Sequence, residues 1–179
     1  MAWLKIPAVE FHPPVNMAAE HHLVWWHVPI SLKYRWLKPF PLQNVSVKLT
    51  LSGADSKTLQ LCWRAWEGPK LRMTLLEDEL YYIPVMARTT FVSHMLATKA
   101  GMIIPPGSLG DWVMQGGIPR ISDVQHCFAF TSVTNLVAPG YYWATLTLCV
   151  GSRVIARKSY SISVPPPDSA NDQLVLAPR

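Results

Sequence analysis

A chain of 179 residues, half of them apolar and 15% charged, has the composition of one globular domain with a sizeable core, which excludes an intrinsically disordered protein. The formal net charge of +5 permits anionic partners, but the cations are spread along the chain, as on an ordinary solvated surface. Sixteen prolines favour many short strands joined by turns over long helices.

The chain has three cysteines, Cys62, Cys127 and Cys149. An odd count is a poor disulfide framework, so we expect reduced, partly buried thiols, with one pair across neighbouring strands left open. The N-terminus lacks the pattern of a signal peptide, and no segment has the roughly 20 apolar residues of a spanning helix. We therefore expect a complete, soluble, cytoplasmic protein with no membrane partner.

The first half of the chain predicts an extended arm followed by three strands. Residues 1–20 contain three prolines and no clear period, although 8–11 can pair as an edge strand. Residues 21–30 are the first strong strand. Residues 43–52 alternate between apolar and polar side chains, and 58–66 alternate again after a glycine-containing turn, which predicts a hairpin.

The second half has weaker patterns between two clear regions. Short strands are predicted at 71–75 and 80–88, and another at 124–131. Between them, residues 89–123 are punctuated by glycine and proline, so we expect a long irregular insertion that either packs as an ordered loop or carries function. The polar residues 168–179 are expected to form a flexible C-terminal tail.

The clearest pattern is a hairpin between Pro139 and Pro166, with a turn at 150–153. Its first strand alternates with period two, which predicts one buried and one outer face. The expected buried face is Tyr142, Ala144, Leu146, Leu148 and Val150; the outer face is Tyr141, Trp143, Thr145, Thr147 and Cys149. On the second strand the expected apolar face is Val154, Ala156, Tyr160, Ile162 and Val164. Lys158 interrupts this face, which indicates either a bulge or a side chain that reaches the sheet margin.

These elements predict an all-β fold: a two-sheet antiparallel β-sandwich of about seven or eight strands, in a single domain over residues 1–167. The chain resembles the immunoglobulin-like or fibronectin type III-like β-sandwich superfamily, and small bacterial domains built on the same frame. The resemblance is carried by 25–30 (WWHVPI), 43–49 (QNVSVKL), 61–63 (LCW), 79–85 (ELYYIPV) and 139–142 (PGYY). It spans 21–90 and 124–164, and it implies a fold without implying a function.

Candidate catalytic arrangements are weak throughout the chain. His21 and His27 share a face of an ideal strand but lie about 20 Å apart, and His22 points away, so no metal site is expected. His126 and Cys127 are neighbours on a strand and point apart, which argues against a catalytic pair. The sequence has no nucleophile elbow and no phosphate-binding loop. We therefore expect no catalytic, metal-binding or cofactor-binding residues, and no enzyme.

Two surfaces are candidates for binding. Large aromatic side chains fall on the expected outer faces: Trp25, Trp66, Tyr82, Tyr141 and Trp143. They predict an interaction or assembly module that binds a protein or a second copy of itself, with cover by other segments of the chain and carbohydrate binding as alternatives.

The second surface is a basic, aromatic patch formed by Lys33, Tyr34, Arg35, Trp36 and Lys38. Flat rings beside cations suit single-stranded nucleic acid, because the rings stack on bases and the cations contact phosphates. The alternative is a solvated connection between two strands.

Overall fold

The computed structural model describes residues 7–19, 23–34, 40–53, 56–65, 68–89, 126–129, 135–165 and 175–178. Within these ranges the chain forms strands and turns, and no helix. The strands are β1 (Ala8–Phe11), β2 (Val15–Ala19), β3 (Leu23–Lys33), β4 (Leu42–Gly53), β5 (Lys57–Leu61), β6 (Trp63–Ala65), β7 (Gly68–Lys70), β8 (Met73–Leu75), β9 (Tyr81–Thr89), β10 (His126–Ala129), β11 (Asn135–Val137), β12 (Gly140–Val150), β13 (Arg153–Val164) and β14 (Val175–Pro178).

Two six-stranded antiparallel sheets make up the fold. Sheet A has the order β1-β3-β9-β10-β11, with β2 also paired to β3. Sheet B has the order β14-β13-β12-β4-β5, with β8 also paired to β4, and β6 and β7 form a separate two-stranded hairpin. Apolar side chains from both large sheets form one buried cluster, so the predicted all-β, two-sheet sandwich is confirmed.

The core is built by the alternation that the sequence shows. In β4, Val45, Val47, Leu49 and Leu51 are at most 1% exposed, as expected for the inward face. The predicted hairpin of this strand forms as β4 and β5, with Leu49 opposite Leu59. The expected second strand of that hairpin ends early, because Cys62 separates β5 from β6 and the chain leaves sheet B there.

Sheet A tolerates its prolines through interruptions of the ladder. Pro29 lies in an interior strand, between the β3 residues that pair with β1 and those that pair with β2, so its missing N–H faces a gap in the neighbouring strand. Pro84 lies in β9, whose pairing with β3 spans it, whereas the described pairing of β9 with β10 runs from Met86 to Thr89 and does not reach the proline. It lies beside a bulge in which Val85 is the extra residue, and this bulge accommodates the ring.

The β12–β13 hairpin confirms the predicted buried face for Tyr142, Ala144, Leu146 and Leu148. Two details differ. Cys149 is buried although it was expected on the outer face. A bulge in β13 places Ala156 opposite Leu148 and Val154 opposite Cys149, so Ile155 is an extra residue.

The bulge explains the position of Val154, whereas Lys158 stays in register with Ala156 and Tyr160. Val154 moves off the apolar face and is 41% exposed, so its expected inward position is wrong. Lys158 follows the bulge, lies opposite Leu146 and is half-buried, as expected of an aliphatic stem that reaches the sheet margin.

The expected arm and tail both contribute strands. Ala8–Phe11 forms the predicted edge strand β1, and Val15–Ala19 adds β2. In the region expected to be a flexible tail, Val175–Pro178 instead pairs with β13, and Leu176 is 7% exposed. Burial of this leucine accounts for the order of the strand. Apart from Thr89, the last residue of β9, the predicted insertion at 89–123 lies outside the described residues.

Candidate functional site

Tyr141 and Trp143 are the most exposed large aromatic side chains on the outer face of sheet B, at 82% and 51%. The period-two geometry of β12 places both on this face, on either side of the buried Tyr142. The Tyr142 hydroxyl donates a 2.7 Å hydrogen bond to the Ala138 carbonyl, which fixes the start of the strand. The buried Tyr142 therefore fixes the backbone that carries the two exposed rings.

A groove of about 560 Å³ runs along these rings. We call it the aromatic groove, and its lining is Tyr141, Tyr142, Trp143, Ser161, Ile162 and Ser163. Tyr141 lies opposite Ser163 and Trp143 lies opposite Ser161, so each ring has a serine beside it on the neighbouring strand. The groove thus combines flat apolar surfaces with hydroxyl groups, and none of the described residues that line it is charged.

Gly53, the last residue of β4, lies against the backbone of Tyr141. Its φ of 143° is one that other residues rarely adopt, and a Cβ atom at this position would lie 2.4 Å from the Tyr141 carbonyl oxygen. The absence of a side chain lets β4 approach the backbone that carries the exposed ring.

Hydroxyl groups continue beyond the groove along the same face, which we call the hydroxyl face. Cross-strand neighbours on this face include Trp143 with Ser52 and Thr145 with both Thr50 and Ser159. Side-chain hydroxyls approach each other across strands, with 3.2 Å between the Oγ1 atoms of Thr50 and Thr58. A ligand in the aromatic groove would therefore lie against a surface rich in donors and acceptors.

The remaining predicted outer-face aromatics do not join this site. Tyr82 is 38% exposed but lies in sheet A, where its ring packs edge-on against the buried ring of His27, with 6.4 Å between centroids. Trp25 lies in β3, also in sheet A, and Trp66 is outside the described residues. The structure therefore brings together Tyr141 and Trp143, and separates them from Tyr82 and Trp25.

The basic, aromatic patch is engaged in contacts within the chain where it is described. The Lys33 ammonium forms a 2.5 Å ion pair with Glu10, which joins β3 to β1. The Tyr34 hydroxyl donates to the Phe40 carbonyl, and the two rings meet edge-on. Arg35, Trp36 and Lys38 are outside the described residues. Nucleic-acid binding at this patch stays a prediction.

The Glu10–Lys33 ion pair predicts a pH-dependent contribution to stability. The hydrogen bond that Glu10 accepts from Lys33 lowers the pKa of Glu10 below the ordinary value of 4.5. A lowered pKa stabilises the folded state above about pH 4.5, and this contribution is lost as the pH falls through the folded-state value. Glu10→Gln should slightly lower the melting temperature at neutral pH and leave it unchanged in strong acid. Glu77→Gln is the control, and a Glu10→Gln deficit that persisted in strong acid would contradict the assignment.

Groups with a raised pKa lie outside the aromatic groove. Burial, followed by the hydrogen bond to Glu79, raises the pKa of Tyr81 to about 12. Burial also raises the pKa of Tyr160 and of the Cys62 thiol, which disfavours a reactive thiolate. Cys62 and Cys149 are buried free thiols, as expected. These groups serve the fold, and none of them lines the groove.

In the described part of the chain, no helix is long and apolar enough to cross a membrane. Among the same residues, no group of three or more histidine, cysteine, aspartate or glutamate side chains could hold a metal ion. His21 and His22, which the sequence raises as candidate metal ligands, are outside the described residues. In comparisons with known proteins, no protein-family model and no curated protein sequence matches the chain.

Proposed function

We propose that this protein is a non-catalytic binding module that holds a saccharide chain against Tyr141 and Trp143. The observation that carries the proposal is the aromatic groove, in which each exposed ring has a serine hydroxyl opposite it. Sugar rings present flat C–H faces that pack on aromatic rings, and their hydroxyls pair with short polar side chains. The volume of about 560 Å³ lies in the range of small-ligand sites.

The chemistry of the lining favours a polyhydroxylated ligand over an apolar one. A purely apolar ligand would leave the Ser161 and Ser163 hydroxyls without partners when it covered them, and unpaired polar groups are costly to bury. The position on a sheet also matters, because strands hold side chains more rigidly than loops do and less order has to be gained on binding.

A second candidate function is association of two copies through the same rings. The specific observation is the exposure of Tyr141, a residue type that commonly anchors protein interfaces. Sedimentation separates the candidates: a dimer that dissociates in Trp143→Ala supports association, and a monomer at all micromolar concentrations removes it.

Saccharide binding predicts a loss of affinity in two single variants. A glycan array identifies a bound oligosaccharide, and calorimetric titration then gives its dissociation constant. Trp143→Ala and Tyr141→Ala should each weaken binding by at least about tenfold, the effect expected for a central aromatic contact. Tyr82→Ala is the matched control, since it removes an exposed ring from sheet A.

Two results would overturn the proposal. One is an array without a bound glycan. The other is an affinity that Trp143→Ala and Tyr141→Ala leave unchanged while both variants melt at the wild-type temperature.

We also propose a relationship to immunoglobulin-like and fibronectin type III-like domains. The order β13-β12-β4-β5 corresponds to strands G-F-C-C′ of that architecture, and β1-β3-β9 corresponds to A-B-E. The bond from the Tyr142 hydroxyl to the Ala138 carbonyl resembles the tyrosine corner of these domains. Cross-strand amide contacts by NMR that placed another strand between β3 and β9 would contradict the relationship.

The expected cytoplasmic location and bacterial origin stay predictions. The buried free thiols Cys62 and Cys149 support a reducing compartment. Cell fractionation that found the protein outside the cytoplasm would contradict the location.

A further inference from the structure

A row of three side chains crosses the hydroxyl face beyond the aromatic groove. Thr147 in β12 lies directly opposite Lys48 in β4 and opposite Arg157 in β13. Lys48 and Arg157 are exposed, and Thr147 is half-buried between them. Neighbouring positions in such a row lie about 5 Å apart at Cβ, so both cations can reach a group placed over the threonine hydroxyl.

Every charged residue in the strands of sheet B is cationic. None of its six strands contains aspartate or glutamate, whereas they contain five cationic residues: Lys48, Lys57, Arg153, Arg157 and Lys158. The acidic residues in the described ranges lie elsewhere, at Glu10 in sheet A and in the 77–79 turn. Of the five cationic residues, Lys48 and Arg157 share the face of Thr147, and no strand of this sheet carries a carboxylate that competes for them, so an anion over Thr147 meets a positive field.

The distance from the groove to the row sets the length of the ligand. Trp143 and Thr147 are four residues apart on β12, which corresponds to about 13 Å along the strand. Thr145 lies between them on the same face, beside Thr50 and Ser159. A single sugar in the groove does not reach the cations, whereas an oligosaccharide lying along β12 does.

Resting on the proposed saccharide function, we infer that the natural ligand is an anionic oligosaccharide. Its sugar rings pack on Tyr141 and Trp143, and a carboxylate or sulfate group lies over Thr147 between Lys48 and Arg157. Arg157 supplies a planar fork of donors and Lys48 a point charge, both of which suit an oxyanion.

The same surface fits single-stranded nucleic acid less well. A nucleic acid carries a phosphate at every nucleotide, so cations are needed beside the stacked bases as well as farther along the strand. Among the described residues that line the aromatic groove, the polar side-chain groups are neutral: serine and tyrosine hydroxyls and the indole N–H of Trp143. A ligand along β12 thus meets neutral groups near Tyr141 and Trp143 and two cations beside Thr147. This arrangement suits a ligand that carries few charges.

The test compares three probes on the full chain: a uronic-acid oligosaccharide, the same oligosaccharide with its carboxyl groups reduced to alcohols, and a single-stranded oligonucleotide of similar length. We expect the charged saccharide to bind most tightly and to lose affinity as salt is raised. Lys48→Gln and Arg157→Gln should each weaken its binding about fivefold and leave the reduced form unaffected. Lys158→Gln is the matched control, because it removes the cation next to Arg157 on β13, which lies opposite the buried Leu146 on the other face of the sheet.

The outcomes separate the inference from the function on which it rests. Equal binding of the charged and reduced saccharides, still dependent on Trp143, overturns the inference and leaves saccharide binding in place. Binding of neither saccharide removes both. Tighter binding of the oligonucleotide that is lost in Lys48→Gln and Arg157→Gln assigns the face to nucleic acid and overturns the inference. If Lys158→Gln weakens binding instead, the cations of the row are not the anion site.

Discussion

Trp63→Ala is expected to lower the free energy of unfolding by about 3–5 kcal/mol, the cost typical of removing a large buried aromatic side chain. Trp63 is 1% exposed, and its indole Nε1 donates a 2.9 Å hydrogen bond to the Val45 carbonyl. The ring therefore fastens the small β6–β7 hairpin to β4 of sheet B. Its loss would leave both a cavity and a buried carbonyl without its donor.

Urea unfolding followed by far-ultraviolet circular dichroism measures this effect without relying on tryptophan fluorescence. Trp63→Phe keeps most of the packing and loses the hydrogen bond, so it should cost about 1–3 kcal/mol. Trp143→Ala is the matched control, because an exposed tryptophan should cost within about 0.5 kcal/mol. Equal stability of the two alanine variants would show that Trp63 is not part of the core.

Gly53→Ala is expected to destabilise the protein by about 2–4 kcal/mol, because a strained φ and a steric overlap add together. The new Cβ would lie 2.4 Å from the Tyr141 carbonyl oxygen, and backbone atoms cannot rotate away as a side chain can. One of the two strands must move, and Tyr141 moves with its own. We therefore expect Gly53→Ala to weaken ligand binding in the aromatic groove as well.

Gly151→Ala is the control that measures the cost of a positive φ without a steric overlap. Gly151 also has a positive φ, 59°, but a Cβ there meets no atom within 4 Å. It should cost about 1–2 kcal/mol, from conformation only, and leave binding unchanged. If both glycine variants were equally stable and bound equally well, the close approach of β4 to Tyr141 would not constrain the site.

The fold followed from period-two alternation wherever strands pair regularly. The buried faces of residues 43–52 and of Tyr142 to Leu148 were predicted correctly, because each segment has one side against the core. Prediction failed at irregularities. Ile155 as an extra residue reverses the direction of Val154 relative to the expected apolar face. Such features depend on the partner strand, which local sequence does not contain.

The site was predictable only in part. Alternation alone placed Tyr141 and Trp143 together on an outer face, and the structure adds the groove beside them. The same rule also selected Tyr82, which belongs to the other sheet. The row of Lys48, Thr147 and Arg157 was missed, because its members come from three strands and no short motif contains them. A count of charged residues in each predicted strand would have shown that the hairpin after Pro139 and residues 43–52 contain no aspartate or glutamate.

The pairing of β4 with β12 has a consequence for how the chain reaches its native state. Residues near Leu49 pair with residues near Leu146, so the central ladder of sheet B joins segments far apart in sequence. Contacts of this kind slow folding, so we expect folding in milliseconds to seconds, which stopped-flow refolding would measure. During synthesis, β4 can pair with β5 soon after both emerge from the ribosome, but its other edge has to wait for β12. We expect a chain truncated before Gly140 to be captured by chaperones or to aggregate, whereas the full chain refolds.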